Sequence, residues 1–178
     1  MTSSTGDFDL TGDELRVVAR FAAQAAQEVL NVFERAVPDD VRPRAALDAA
    51  WAFANGGPRT NHQRAASLDA HRAAKIAPTE SARLAAQAAG DAAAAAYLHP
   101  LAKVTQVGHI LRAAANAACV AELEAGDPAV AADALQRSVD RASPTLRGVL
   151  GRYPAAPSGK SPTARLMSEL DRLLRGEG

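Results

Sequence analysis

Arg64 and His71 stand seven positions apart, so a helix carries both side chains on nearly the same face. An imidazole near its ordinary pKa can move a proton while a guanidinium stabilises charge on a phosphorane, and small all-helical ribonucleases use an Arg and His motif of this spacing. The same spacing also arises freely on an ordinary amphipathic face of an arginine-rich helix. No basic patch with interleaved aromatics accompanies it here. No residue is therefore assigned a catalytic role, and the ribonuclease is kept as the enzymatic alternative.

A second group of donors lies further along the chain. Lys103, Gln106, His109, Arg112 and Asn116 recur at spacings of three and four, which draws a polar stripe along an otherwise alanine-rich helix. Tyr97 and His99 adjoin it. A solvated helix face and a partner-binding surface both fit that pattern, and these seven residues are the candidate partner contacts.

Other chemistry is poorly supported. His62, His71, His99 and His109 do not occur at i and i+4, and no glutamate joins a pair in metalloprotease spacing, so no metal is expected. Gly159-Lys160-Ser161 imitates the end of a phosphate-binding loop. The glycine such a loop requires five residues earlier is Pro154, and the preceding segment is helical, so no nucleotide cofactor is expected. No Gly-x-Ser-x-Gly elbow exists. Cys119 is the only cysteine, which leaves no intrachain disulfide and suits a reducing cytoplasm; its place beside an apolar stripe reads as a buried, inert thiol.

The elements that must position these residues follow from one compositional fact: alanine makes up about a quarter of the chain. Alanine is the best intrinsic helix former and has no rotamer freedom to lose, so the sequence is committed to helices packed closely through small side chains. The first helix starts at a Thr11/Glu14 capping box and ends at Pro38. Its apolar stripe runs through Leu15, Val18, Ala22, Ala25, Val29, Val32 and Ala36. A second runs from near Asp40, with Pro43 in its first turn, to Asn55. A third spans Thr60 or Asn61 to Ile76, and a fourth runs from the Thr79 N-cap to Tyr97 or Leu98, with Arg83, Gln87 and Asp91 on one polar face. His99-Pro100 separates it from a fifth, Leu101 to Glu124, with the apolar stripe Val104, Val107, Leu111, Ala114, Ala118 and Ala121. Pro128 to Ala142, Ser143-Pro144 to Gly151, and Ser161-Pro162 through Leu173 complete the set. With no alternating β-branched run, the expected fold is all-α: a compact bundle of seven or eight helices over residues 11–176, preceded by a disordered tail over residues 1–10.

Charge is balanced, 20 basic against 20 acidic residues, which gives no reason to expect nucleic acid or an anionic membrane as partner. The distribution is uneven. Residues 1–40 carry an acidic excess and 41–120 a basic one, which reads as helix-to-helix pairing or as a partner footprint. Residues 1–9 lack the basic and apolar regions of a secretory signal, so none is expected, and no membrane-spanning stretch is expected either.

The strings Arg42-Pro43-Arg44-Ala45-Ala46-Leu47-Asp48-Ala49-Ala50, Ala70-His71-Arg72-Ala73-Ala74-Lys75, Tyr97-Leu98-His99-Pro100-Leu101-Ala102-Lys103, Gly108-His109-Ile110-Leu111 and Gly151-Arg152-Tyr153-Pro154 carry a resemblance. Together they make the chain similar to a family of alanine-rich, all-helical bacterial proteins labelled as immunity proteins of the immunity-protein-5-like kind, over most of residues 13–175. That resemblance implies a non-enzymatic cytoplasmic protein that binds and neutralises a cognate toxin, as monomer or homodimer. Some relatives are also labelled as the ATPase subunit of a DNA exonuclease. Such an ATPase needs a phosphate-binding loop and long heptad arms, and this chain has neither. A homodimeric helical scaffold or ligand-binding module is the third reading, and a deep pocket lined by His71, Tyr97 and His109 would favour a small ligand.

Overall fold

The computed structural model describes residues 7–177, and among them eight α-helices and one 3-10 turn account for the regular structure, with no strand. Helix α1, Gly12–Ala36, begins where Thr11 Oγ1 accepts from the Glu14 amide and Glu14 returns a bond to the Thr11 amide, the capping box the sequence predicts. Helices α2 (Arg42–Ala54), α3 (Asn61–Lys75) and α4 (Glu80–Ala94) follow. Thr60 and Thr79 cap α3 and α4 with their hydroxyls. The last turn of α4 tightens into the 3-10 turn Ala95–Tyr97. Then come α5 (Val104–Ala125), α6 (Pro128–Arg141), α7 (Pro144–Leu150) and α8 (Pro162–Arg175), three of them opening with proline in the first turn, where its missing N–H costs nothing.

Helices α1, α4 and α5 pack on one another to form the centre. Helices α2 and α3 cover α4, α6 and α8 cover α5, and α7 lies on α1. Being central, α1 buries far more than the one stripe expected of it: Ala19, Phe21, Ala23, Ala26, Leu30 and Phe33 are interior as well, while Ala36 is exposed. Helix α4 buries alanine on nearly all sides, from Ala82 to Ala93. A buried methyl stabilises by only about 0.8 kcal/mol, but alanine loses no side-chain entropy on folding. Phe33, Leu30, Leu47, Ile110 and Leu111 fill what the methyls leave open.

Helix α5 starts three residues later than the pattern suggests, because the backbone before it is bonded elsewhere. The His99 amide donates to Gln106 Oε1 at 2.9 Å and the Ala102 amide to Asp7 Oδ2 at 2.6 Å, while the Asp7 amide donates to the Pro100 carbonyl at 2.8 Å. Asp7–Leu10 belongs to the segment read as a tail. Besides the Asp7 bonds, Phe8 meets the Tyr153 ring edge to face at 5.0 Å, and Tyr153 in turn donates to the His99 carbonyl at 2.8 Å. The rest of that segment, residues 1–6, lies outside the described residues.

Candidate binding site

Helices α3 and α5 flank α4, leaving a groove over the C-terminal half of α4 that gathers most of the chain's distinctive polar residues. At one end is a pocket of about 200 Å³ lined by Arg64, Ser67 and Leu68 from α3, Ala94 and Tyr97 from the end of α4, and His99 and His109. The Tyr97 hydroxyl donates to the Thr60 carbonyl, which fixes the ring across the start of α3. Two guanidinium groups stand over that ring: Arg64 at 4.9 Å and Arg59 at 5.8 Å from its centroid. Arg59 is also tied to the Ala96 carbonyl at 3.2 Å.

At the other end Asp91 points inward. It is only 5% exposed and accepts one side-chain hydrogen bond, from Asn116 Nδ2 at 3.0 Å. Asn116 Oδ1 accepts from Thr163 of α8 at 3.0 Å, so the network runs from α4 through α5 to α8. The other carboxylate oxygen of Asp91, Oδ1, faces His71 Nε2 at 3.6 Å and Arg112 at 3.8 Å. Burial pushes the Asp91 carboxyl up to about 7, against the pull of Arg112 and Asn116. Burial lowers His71, and the positive charges of Arg112 and Lys75 lower it further. His109 is brought down to about 4 by burial first, then by Arg112 and His99. His109 is therefore neutral at pH 7.

Two glycines make this arrangement possible. A Cβ on Gly90 would lie 2.9 Å from His71 Nε2, and one on Gly108 would lie 2.1 Å from the end of Arg112. Both glycines are buried within helices, where glycine costs up to about 1 kcal/mol relative to alanine. The missing methyl on α4 seats the imidazole, and the missing methyl on α5 seats the guanidinium.

The chain matches the family described as Imm-5 like putative immunity protein over residues 10–143. It belongs to that family. No curated protein and no solved structure matches it. The stretch shared with the immunity family contains every residue of the groove except Thr163, since α7 and α8 lie beyond its end.

In this immunity-family chain the predicted polar stripe divides. Tyr97, His99 and His109 line the pocket, Gln106 supports the loop before α5, Lys103 and Arg112 are exposed, and Asn116 is 1% exposed and faces the interior. Arg64 and His71 share a helix face but not a cavity: Arg64 covers Tyr97, whereas His71 rests on Gly90 beside Asp91. Tyr97 and His109 share the pocket without His71, and its volume is below the roughly 300–1,000 Å³ usual for small-ligand sites. Among the described residues no group of three or more His, Cys, Asp or Glu side chains could hold a metal ion. Cys119 is buried, with its thiol pushed up by that burial.

The sequence reading missed Arg59, Ser67, Leu68 and the interior position of Asp91. One signal pointed to the last. Gly90 and Gly108 interrupt alanine-rich helices where alanine would be more stable, and such glycines mark close approach by something else.

Proposed function

We propose that this protein binds a cognate toxin and neutralises it by occupancy, without catalysing a reaction. The observation that carries the reading is membership of the immunity-protein family across six of the eight helices among the described residues. A rigid helical scaffold suits the task, because an inhibitor already in its bound shape loses little conformational entropy on association. No helix among the described residues is long and apolar enough to cross a membrane, and we place the protein with its toxin in the cytoplasm.

Co-expression with the toxin encoded beside it tests the proposal. Growth should be rescued, and the two proteins should elute together on gel filtration. Continued toxicity with both proteins folded and no shared elution peak would refute it. Light scattering of the isolated protein separates a monomer from the homodimeric scaffold of the third reading.

A further inference from the structure

We infer that the groove between α3 and α5 is the face that meets the toxin, and that its Arg64–Tyr97 pocket receives an acidic side chain of that partner. This inference rests on the toxin-binding reading above and assigns it a surface and a chemistry.

Charge bookkeeping within the fold is the first support. The acidic excess of residues 1–40 is mostly spent internally: Glu14 on Arg152, Glu28 on Arg137 and Arg141, Glu34 on Arg44 and Asp40 on Arg42. Three of those arginines come from the C-terminal part of the chain, so part of the basic excess of residues 41–120 stays unpaired. Among the described residues Arg59, Arg64, Lys75 and Lys103 of that stretch make no ion pair, and neither do Arg20, Arg147, Lys160 and Arg165 outside it. Arg64 lines the pocket, Arg59 stands over the Tyr97 ring, and no carboxylate lines the pocket.

The pocket's build is the second support. Arginine and tyrosine are the residue types that most often anchor interfaces, and here they are stacked on each other with Leu68, 52% exposed, at the rim. The phenol is already held by the Thr60 carbonyl, so little ordering remains to be done on binding. A volume of about 200 Å³ admits one side chain and is small for a cofactor. Arg64 has no competing carboxylate, so an incoming one gains a charge-assisted, bidentate partner over an aromatic floor. The alternative, a nucleic-acid backbone, fits less well: the chain is neutral overall and offers one aromatic here.

The test has two arms. In the first, NMR follows the full-length protein titrated with a short glutamate-rich peptide, with its glutamine counterpart and with inorganic phosphate. The Arg64 Nε–H and the Tyr97 and His109 ring signals should shift with the glutamate peptide alone, and Arg64→Glu should abolish the response. Silence toward the peptide, or a response to phosphate in its place, would overturn the assignment. In the second arm, calorimetry with the co-encoded toxin should show Arg64→Glu weakening Kd by about 30-fold or more. Arg172→Glu, at an exposed position of α8, should leave it unchanged, with both variants melting near the wild type. Equal affinity of Arg64→Glu and wild type would remove this face while leaving toxin neutralisation intact. If wild type binds no toxin, the functional reading falls and the peptide arm decides the pocket on its own.

Discussion

Asp91 and His109 illustrate how single buried groups set the pH response of this protein. Asp91 is raised to about 7 from an unfolded value of 3.8, so between those values the folded state holds the extra proton and stability falls as pH rises. His109 is lowered to about 4 from 6.5, so over that interval the unfolded state holds the extra proton and stability rises with pH. The two slopes oppose each other between about pH 4 and 6.5, each reaching at most about 1.4 kcal/mol per pH unit. Denaturant unfolding across this range should therefore give a shallow profile for the wild type. Asp91→Asn should tilt it upward with pH, with the lowered His71 adding to that tilt, and His109→Gln should tilt it downward. Parallel profiles for all three proteins would show that neither group keeps its shifted pKa in solution.

At the scale of elements, the glycines facing the groove trade helix stability for geometry. Gly108→Ala adds a methyl where the Arg112 guanidinium now rests, but that group is the end of a flexible, half-exposed chain and can swing into solvent. The substitution should therefore raise stability by up to about 1 kcal/mol while detaching Arg112 from Asp91. Thermal melting reads the first effect. A further rise in the Asp91 pKa by carboxyl NMR reads the second, and a destabilised variant would mean Arg112 cannot leave. Helix starts were legible wherever a hydroxyl or proline fixes them, as at Thr11, Thr60, Thr79, Ser143 and Ser161. The start of α5 was not, because nothing local marks it. Lys103 gives no side-chain cap, and the segment from His99 to Ala102 is held by Asp7, a residue 95 positions away from the Ala102 amide it binds.

For the molecule as a whole, the alanine-lined centre leaves little room for larger side chains. Ala89 is fully buried on α4, the helix that α1, α2, α3 and α5 all touch. Ala89→Leu should overpack it and cost about 1–3 kcal/mol, a fall in Tm of about 3 to 10 °C for a chain of this size, measured by circular dichroism. An unchanged melting point would mean that the helices of the centre can move apart at no cost. The same scale explains the charge pattern. The acidic arm α1 is neutralised by arginines from α2, α6 and the loop after α7, while Arg59 and Arg64 beside Tyr97 keep no acidic partner among the described residues.

What the sequence determined alone is what local physics dictates: all-helical structure from alanine content, nearly every helix boundary from caps and prolines, and family membership from short strings along the chain. What it could not determine is which polar positions of a helix meet water. Asn116 and Asp91 sit at spacings that resemble a solvated face, yet both are interior, because a neighbouring helix covers each and the two satisfy one another. Periodicity reports only the face of the helix that carries a residue. What lies opposite that face is fixed by the packing of α3, α4, α5 and α8, and that packing leaves Tyr97 and His109 on an open pocket while it encloses Asp91 and Asn116.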